Sequence, residues 1–466
     1  MNPKPIDAST DDIEQHLYAK RQRIYPREVH GVFAWLRTAA VLVLLGLYYG
    51  VPWLRWNDHQ AILFDLPGRK FHLFGLTIWP QDFIYLAALL IIAALALFFF
   101  TALAGRLWCG YACPQTVWTE AFMWMERHIE GDRGRRIKLD RMPWSAYKIG
   151  IKTLKHGVWI AFSLWTGFTF VGFFTPILEL AHKLATISTG PWETFWVLFY
   201  GFATYGNAGW MREQVCIYMC PYARFQSAMF DRNTLIISYD DKRGDPRGSR
   251  RRKADPAVQN LGHCIDCTLC VQVCPTGIDI RDGLQYQCIG CAACIDACDG
   301  VMDKMHYPKG LVRYTTENAL EGARTQILRP RVIFYALVLV ILTGVVLWGI
   351  ATRDPVSLDV IRDRNTLYRE TAEGLVENVY TLKVINKGGG DSVFLVSIDG
   401  MAGATVLSED QQITVANGEV RDVVVRVQVD PVYLEQRSSD LSFSVTSVDG
   451  QLKATEPARF LGPLIK

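Results

Sequence analysis

Residues 264–298 read CIDCTLCVQVCPTGIDIRDGLQYQCIGCAACIDAC and carry Cys264, Cys267, Cys270, Cys274, Cys288, Cys291, Cys294 and Cys298. Each run has the spacing C-x2-C-x2-C-x3-C, and Pro275 follows the first. In that spacing three thiolates grip one iron–sulfur cubane while the fourth reaches across to the other. The expected ligand sets are therefore crossed: Cys264, Cys267 and Cys270 with Cys298, and Cys288, Cys291 and Cys294 with Cys274. Paired C-x2-C can also hold zinc, but zinc takes four ligands per ion and has no use for a crossed arrangement of eight. Two 4Fe-4S clusters are the expectation. Asp299 stands where a second proline often follows the last cysteine, which leaves the ligands intact.

Outside this stretch the composition points to a membrane. The chain has 466 residues, is 50% hydrophobic and contains 14 Trp. Its formal net charge of +3 is too small to imply a nucleic-acid partner, and the basic residues are clustered rather than spread over one face. All 12 cysteines fall between Cys109 and Cys298, which argues against a disulfide scaffold.

Five spans are expected, at about Val32 to Trp56, Phe83 to Leu107, Gly157 to Leu180, Trp192 to Trp210 and Val332 to Ile350. Residues 1–31 are polar and basic and show no signal-peptide cleavage site, so they read as a cytoplasmic tail. The positive charges between Arg127 and Lys155, and again from Arg212 to Lys253, hold those segments on the same side. The run Lys242 to Lys253 reads as a solvated linker without chemistry. Residues 32–235 are then a four-helix membrane core, 236–330 a cytoplasmic α+β ferredoxin-like module and 331–351 a fifth helix. Residues 352–466 would lie outside. There, runs such as Val379 to Asn386, Ser392 to Ile398, Glu419 to Val429 and Asp440 to Val448 alternate apolar with polar residues. They are punctuated by Gly388-Gly389-Gly390, Asp399-Gly400, Asn417-Gly418 and Asp449-Gly450. That pattern predicts an all-β immunoglobulin-like sandwich, with docking or scaffolding as its expected role.

The other four cysteines form two copies of one pattern, Cys109-Gly-Tyr-Ala-Cys113-Pro114 and Cys216-Ile-Tyr-Met-Cys220-Pro221. Each follows an inward-running span and precedes an amphipathic segment, Thr116 to His128 or Ala223 to Arg232. A spacing of four puts both sulfurs on one helical face, whereas the prolines favour an end-of-helix turn. Soft thiolates suit Cu(I), or a redox-active dithiol handing electrons to a metal. Buried cysteine as simple apolar filler is the alternative, and the repetition with matching Pro, Tyr111 and Tyr218 argues against it. Met123, Met125 and Met219 read as packing, and His128, His156 and His182 as interfacial residues rather than ligands.

With these constellations on five spans and a terminal sandwich, the chain resembles the FixG/CcoG family of cytochrome c oxidase accessory proteins over essentially its whole length. The resemblance implies reduction of Cu(II) to Cu(I) for assembly of a cb-type oxidase in a bacterial inner membrane. Copper would be handled by Cys109, Cys113, Cys216 and Cys220, with the clusters cytoplasmic and the C-terminal domain periplasmic. It also implies membrane lipid, oxidase assembly factors, a copper exporter and an electron donor as partners, and leaves a homo-oligomer open. NapH-type quinol dehydrogenases look similar over the four-span core and clusters. A non-catalytic assembly scaffold is the reading from a different class.

Overall fold

The computed structural model describes residues 23–56, 59–252, 258–387, 390–408, 412–434 and 436–463. The chain forms two compact units, one of Met1–Leu66 with Ile84–Leu342 and one of Pro67–Phe83 with Thr343–Lys466.

The helices of the first unit that matter below are α1 (Val32–Gly50), α2 (Phe83–Ala104), α3 (Leu107–Tyr111), α4 (Pro114–Glu130), α5 (Ala146–Val171), α6 (Pro191–Thr204), α7 (Pro221–Ala228) and α8 (Ala293–Met305); α9 (Pro330–Ala351) leads out of it. Among the described residues three segments are long and apolar enough to cross a membrane: Val32–Trp53, Phe83–Ala104 and Pro330–Ala351. The two other expected spans take a different form. In place of Gly157 to Leu180, α5 starts at Ala146, where the Ser145 hydroxyl accepts the Lys148 N–H at 3.3 Å, and stops at Val171 before Pro176. Its first turns carry Lys148 and Lys155, both buried; Lys155 pairs with Glu130 at 2.8 Å. That half of the helix therefore belongs to a polar interior and not to an apolar span. In place of Trp192 to Trp210, α6 ends at Thr204 and the chain widens into a π-helical segment, Tyr205–Met211. Such insertions are common at functional sites, and in this one the Asn207 carbonyl accepts both the Arg212 N–H at 2.8 Å and the Gln115 side chain at 2.9 Å. α5 and α6 approach closely because Gly167 faces Gly201: a Cβ on Gly167 would lie 2.2 Å from the Val197 carbonyl oxygen.

The cysteine-rich part packs an antiparallel strand pair, Ile236–Tyr239 with Val312–Thr315, against α8 and a short helix, Leu269–Gln272. Ile237, Ile295, Met302 and Leu311 fill its core. The internal repeat shows in the backbone: Thr268 (φ 56°) and Ala292 (φ 59°) both adopt the left-handed conformation at the position after the second cysteine of their run. The basic run expected to be a solvated linker is tied down instead. Arg243 donates to the carbonyls of Lys309 (3.0 Å) and Pro308 (2.6 Å), and Arg250 to that of Gly262 (2.6 Å). Asp299 accepts the Gly310 N–H at 2.9 Å and closes the turn after α8.

In the second unit, four strands pair in the order Thr405–Ser408, Val420–Val429, Val376–Asn386, Val356–Arg362, with Arg369–Glu370 added to the third. Opposite them run Ile413–Val415, Ser392–Asp399, Ser438–Ser447 and Lys453–Leu461. The inward residues Tyr380, Leu382, Phe394, Val425, Phe443 and Phe460 make the core, with Tyr380 and Phe443 edge to face at 4.9 Å. This is the expected sandwich. Gly400, Gly418 and Gly450 all take positive φ in the expected turns, while Gly388 and Gly389 lie outside the described residues. A hairpin expected as loop, Lys70–Leu73 with Leu76–Ile78, belongs to this unit, and the Thr77 carbonyl accepts from Arg353 at 2.9 Å.

Candidate functional site

One small apolar cavity in the first unit is lined by Cys264, Cys267, Cys270 and Cys298, with Leu311 and Val312 behind them. This is the crossed set, three cysteines of one run and the last of the other. Burial raises the Cys298 thiol to about 12, and Cys270 and Cys264 add to the push. The other four keep equivalent company: Cys288 is raised to about 12 by burial, with Cys291 and Cys274 next to it. The Cys294 thiol is pushed well up by desolvation and further by Cys291, Cys288 and Cys274. Among the described residues no three of these side chains draw together as a site for a single metal ion. Four thiols around a cavity are the donor set that a cubane requires, so the residues present fit two 4Fe-4S clusters.

The C-x3-C-P motifs settle the choice between helical face and end-of-helix turn. Cys109 lies in α3 and Cys216 in a π-helical turn, Val215–Met219, but Cys113 and Cys220 have left the helix. Both are N-caps with extended backbone (ψ 128° and 109°), each followed by proline at the first helical position. The reason is local: proline excludes helix from the residue before it and is well placed at the start of the next. The first-turn N–H groups of Gln115 and Thr116, at the start of α4, oppose the upward push of burial on the Cys113 thiol without a capping hydrogen bond to it. Cys109 and Cys216 are pushed up to about 12, chiefly by burial and then by Cys113. Cys220 also acts on both of them, although among the described residues no three of the four draw together as a site for a single metal ion. Cys109 donates to the fully buried Gln226 side chain of α7 at 3.2 Å, which joins one motif to the helix behind the other.

The first motif and the second ligand set are in direct contact. A Cβ on Gly110 would lie 2.7 Å from the Gly290 oxygen and 3.0 Å from the Cys291 Cα, so α3 rests on the Cys288–Cys291 loop with no room for a side chain. The repeat has Ile217 at the matching position, and only the first copy makes this approach. Arg106, buried, donates to the carbonyls of Cys288 (3.0 Å), Tyr286 and Ala223. Arg37 of α1 donates to the Cys291 carbonyl at 2.6 Å. Asp296 of α8 accepts the first N–H groups of α1, from Phe33 (3.2 Å) and Ala34 (2.7 Å), the favoured place for a carboxylate. Tyr111 and Tyr218 are not equivalent: Tyr111 bonds to Tyr314, which reaches the Gly290 carbonyl at 2.6 Å, while Tyr218 is exposed.

Met123 and Met125 are buried and Met219 is exposed. The ring nitrogens of His128 and His156 are engaged by the Trp124 carbonyl and the Tyr205 hydroxyl, each at 2.9 Å. Sequence reasoning missed Arg37, Arg106, Gly110 and Gln226. An arginine inside an apolar span and a glycine that breaks a repeat were the available signals for Arg37 and Gly110. Arg106 fell unremarked at the end of the expected span Phe83 to Leu107, and nothing marked Gln226.

Three protein families match the chain: a 4Fe-4S dicluster domain over residues 211–317, a 4Fe-4S binding domain over 86–132, and the immunoglobulin-like fold at the C-terminus of FixG over 346–463. The chain is 39% identical over 467 residues to the nitrogen fixation protein FixG of Rhizobium meliloti, covering 92% of this chain and 88% of that one. With protein RdxA of Cereibacter sphaeroides it shares 42% identity over 407 residues, 84% of this chain and 85% of that one. The crystal structure of a FixG-related protein from Vibrio parahaemolyticus is 32% identical, covers 24% of this chain and 99% of that chain, and has a TM-score of 0.22.

Proposed function

The chain belongs to the FixG family of iron–sulfur electron-transfer proteins, and from that premise we propose that it reduces Cu(II) to Cu(I) for assembly of a cb-type cytochrome c oxidase. The observation that carries this reading is the contact of α3, which bears Cys109, through Gly110 with the Cys288–Cys291 loop. The clusters, when bound, supply single electrons. The thiols supply the driving force: Cu(II) favours nitrogen and oxygen, Cu(I) favours low-coordinate sulfur, and a thiolate site withdraws the reduced ion from the equilibrium. Metal binding must release the proton that Cys109 donates to Gln226. The first-turn amides of α4 favour the thiolate of Cys113. All 12 cysteines would face the cytoplasm in a five-span arrangement, with the C-terminal domain in the periplasm. Copper would then leave through a separate exporter.

The test is anaerobic. Purified protein is reduced with dithionite, freed of excess reductant and given Cu(II), in wild type and in a Cys109→Ala, Cys216→Ala variant. Wild type should regain its cluster absorbance and yield bound Cu(I); the variant should keep its iron and yield none. Equal behaviour would remove copper from these cysteines.

One finding favours a second reading: the 4Fe-4S binding family matches residues 86–132, which contain Cys109 and Cys113. In that case the four cysteines hold iron. Iron content separates the two, since loss of Cys109 and Cys216 would then lower the iron per chain, whereas copper handling leaves it unchanged.

A further inference from the structure

We propose that Arg37 and Arg106 make the ligand set of Cys274, Cys288, Cys291 and Cys294 hold the more easily reduced of the two clusters. The inference rests on the two ligand sets and is independent of copper.

The two sites differ in the charges around them. Beside the second set stand two guanidiniums that donate to its own loop, Arg37 to the Cys291 carbonyl at 2.6 Å and Arg106 to the Cys288 carbonyl at 3.0 Å. Among the described residues every hydrogen-bond partner of Arg106 is a main-chain carbonyl, so no carboxylate pairs with it there. Arg37 feels Glu120 and Asp296, but Asp296 is occupied with the first amides of α1. Both arginines act on the sulfurs themselves, Arg37 on Cys291 and Arg106 on Cys288.

The first set has one guanidinium, Arg281, and it is neutralised. It pairs with Asp279 at 2.6 Å and with Asp266 at 2.5 Å, and Asp279 acts on Cys270 against it. Cys267 is exposed to solvent.

Reduction adds one negative charge to a cluster, and charge, hydrogen bonding and exposure set its potential. Exposure at Cys267 favours the first site, and burial alone would leave the second harder to reduce. Two guanidiniums, of which only Arg37 has carboxylates acting on it, Glu120 and Asp296, outweigh that difference in surroundings where each charge acts at low dielectric. The arrangement also places the more oxidising site where α3 rests on it, beside the C-x3-C-P cysteines.

The experiment is a redox titration of the purified full chain, followed by electron paramagnetic resonance. Arg37→Gln and Arg106→Gln should each shift one signal, the one of higher potential, to lower potential and leave the other in place. Together they should reverse the order of the two. Arg281→Gln should move only the other signal. Arg37→Lys, which keeps the charge and loses the fork of donors, should retain most of the wild-type value. The proposal is overturned if neither signal moves, if both move together, or if lysine behaves as glutamine does. Iron content of each variant, equal to wild type, shows that the shift does not come from a lost cluster.

Discussion

Glu126 shows how much one buried side chain can hold together. It is fully buried on α4, and Arg212 (2.9 Å), Arg23 (3.0 Å), Arg136 (3.2 Å) and Lys155 (3.6 Å) converge on it. Burial alone would raise its carboxyl, but the four cations outweigh burial and hold it at about 2. A depressed carboxylate contributes stability above its unfolded value, near 4.5, and that contribution is lost as pH falls from there toward 2. Acid should therefore destabilise the wild type through that window, and Glu126→Gln should flatten the profile in thermal melts of detergent-solubilised protein. At neutral pH the substitution leaves Arg136 buried without its counter-charge, while Lys155 keeps Glu130, and should cost about 3–5 kcal/mol. Gly110 is as sensitive for a steric reason. Gly110→Ala must push α3 off the Gly290 backbone, with an expected cost of about 1–3 kcal/mol read as a lower melting temperature.

Among elements, the repeated unit of short helix, cysteine N-cap and proline is the most consequential. Its second cysteine could not be placed from spacing alone, because a spacing of four is equally compatible with one continuous helix. Pro114 and Pro221 carry the deciding physics, since each excludes helix from the preceding residue. The pairing of α5 with α6 depends on a different feature, the absence of side chains where the helices touch. Gly167→Leu should separate them and lower the melting temperature of the solubilised protein, while Gly150→Leu, with open space around it, should be tolerated. In the sandwich, the Tyr380 hydroxyl donates to the Arg459 carbonyl at 2.9 Å and is part of the core. Tyr380→Phe should cost about 1–3 kcal/mol by leaving that carbonyl unpaired, measured as a shift in the denaturant midpoint of the full chain.

At the scale of the whole molecule, the proposed five-span topology makes a prediction about sidedness. An alkaline phosphatase fusion at Lys466 should be active and one after Arg252 inactive; the opposite pattern would reverse the topology. Much of this protein was legible before any coordinates. Eight cysteines at fixed spacing define two ligand sets because thiolate coordination dictates the spacing. Three spans and the sandwich follow from hydropathy and from strict alternation between turns. Less legible were the two helices whose ends are polar or widened, since buried lysines and a π-helical insertion do not register in a hydropathy window. The hairpin at residues 70–78 joins a domain some 300 residues downstream, and no local pattern announces such a partner. Sequence by itself determined the redox chemistry, through residue type and spacing. Only the tertiary structure decided which cysteines sit together, which glycine lets α3 reach the cluster loop, and which arginines bear on one ligand set and not the other. Those are contacts between distant segments, set by packing and desolvation rather than by neighbours in the chain.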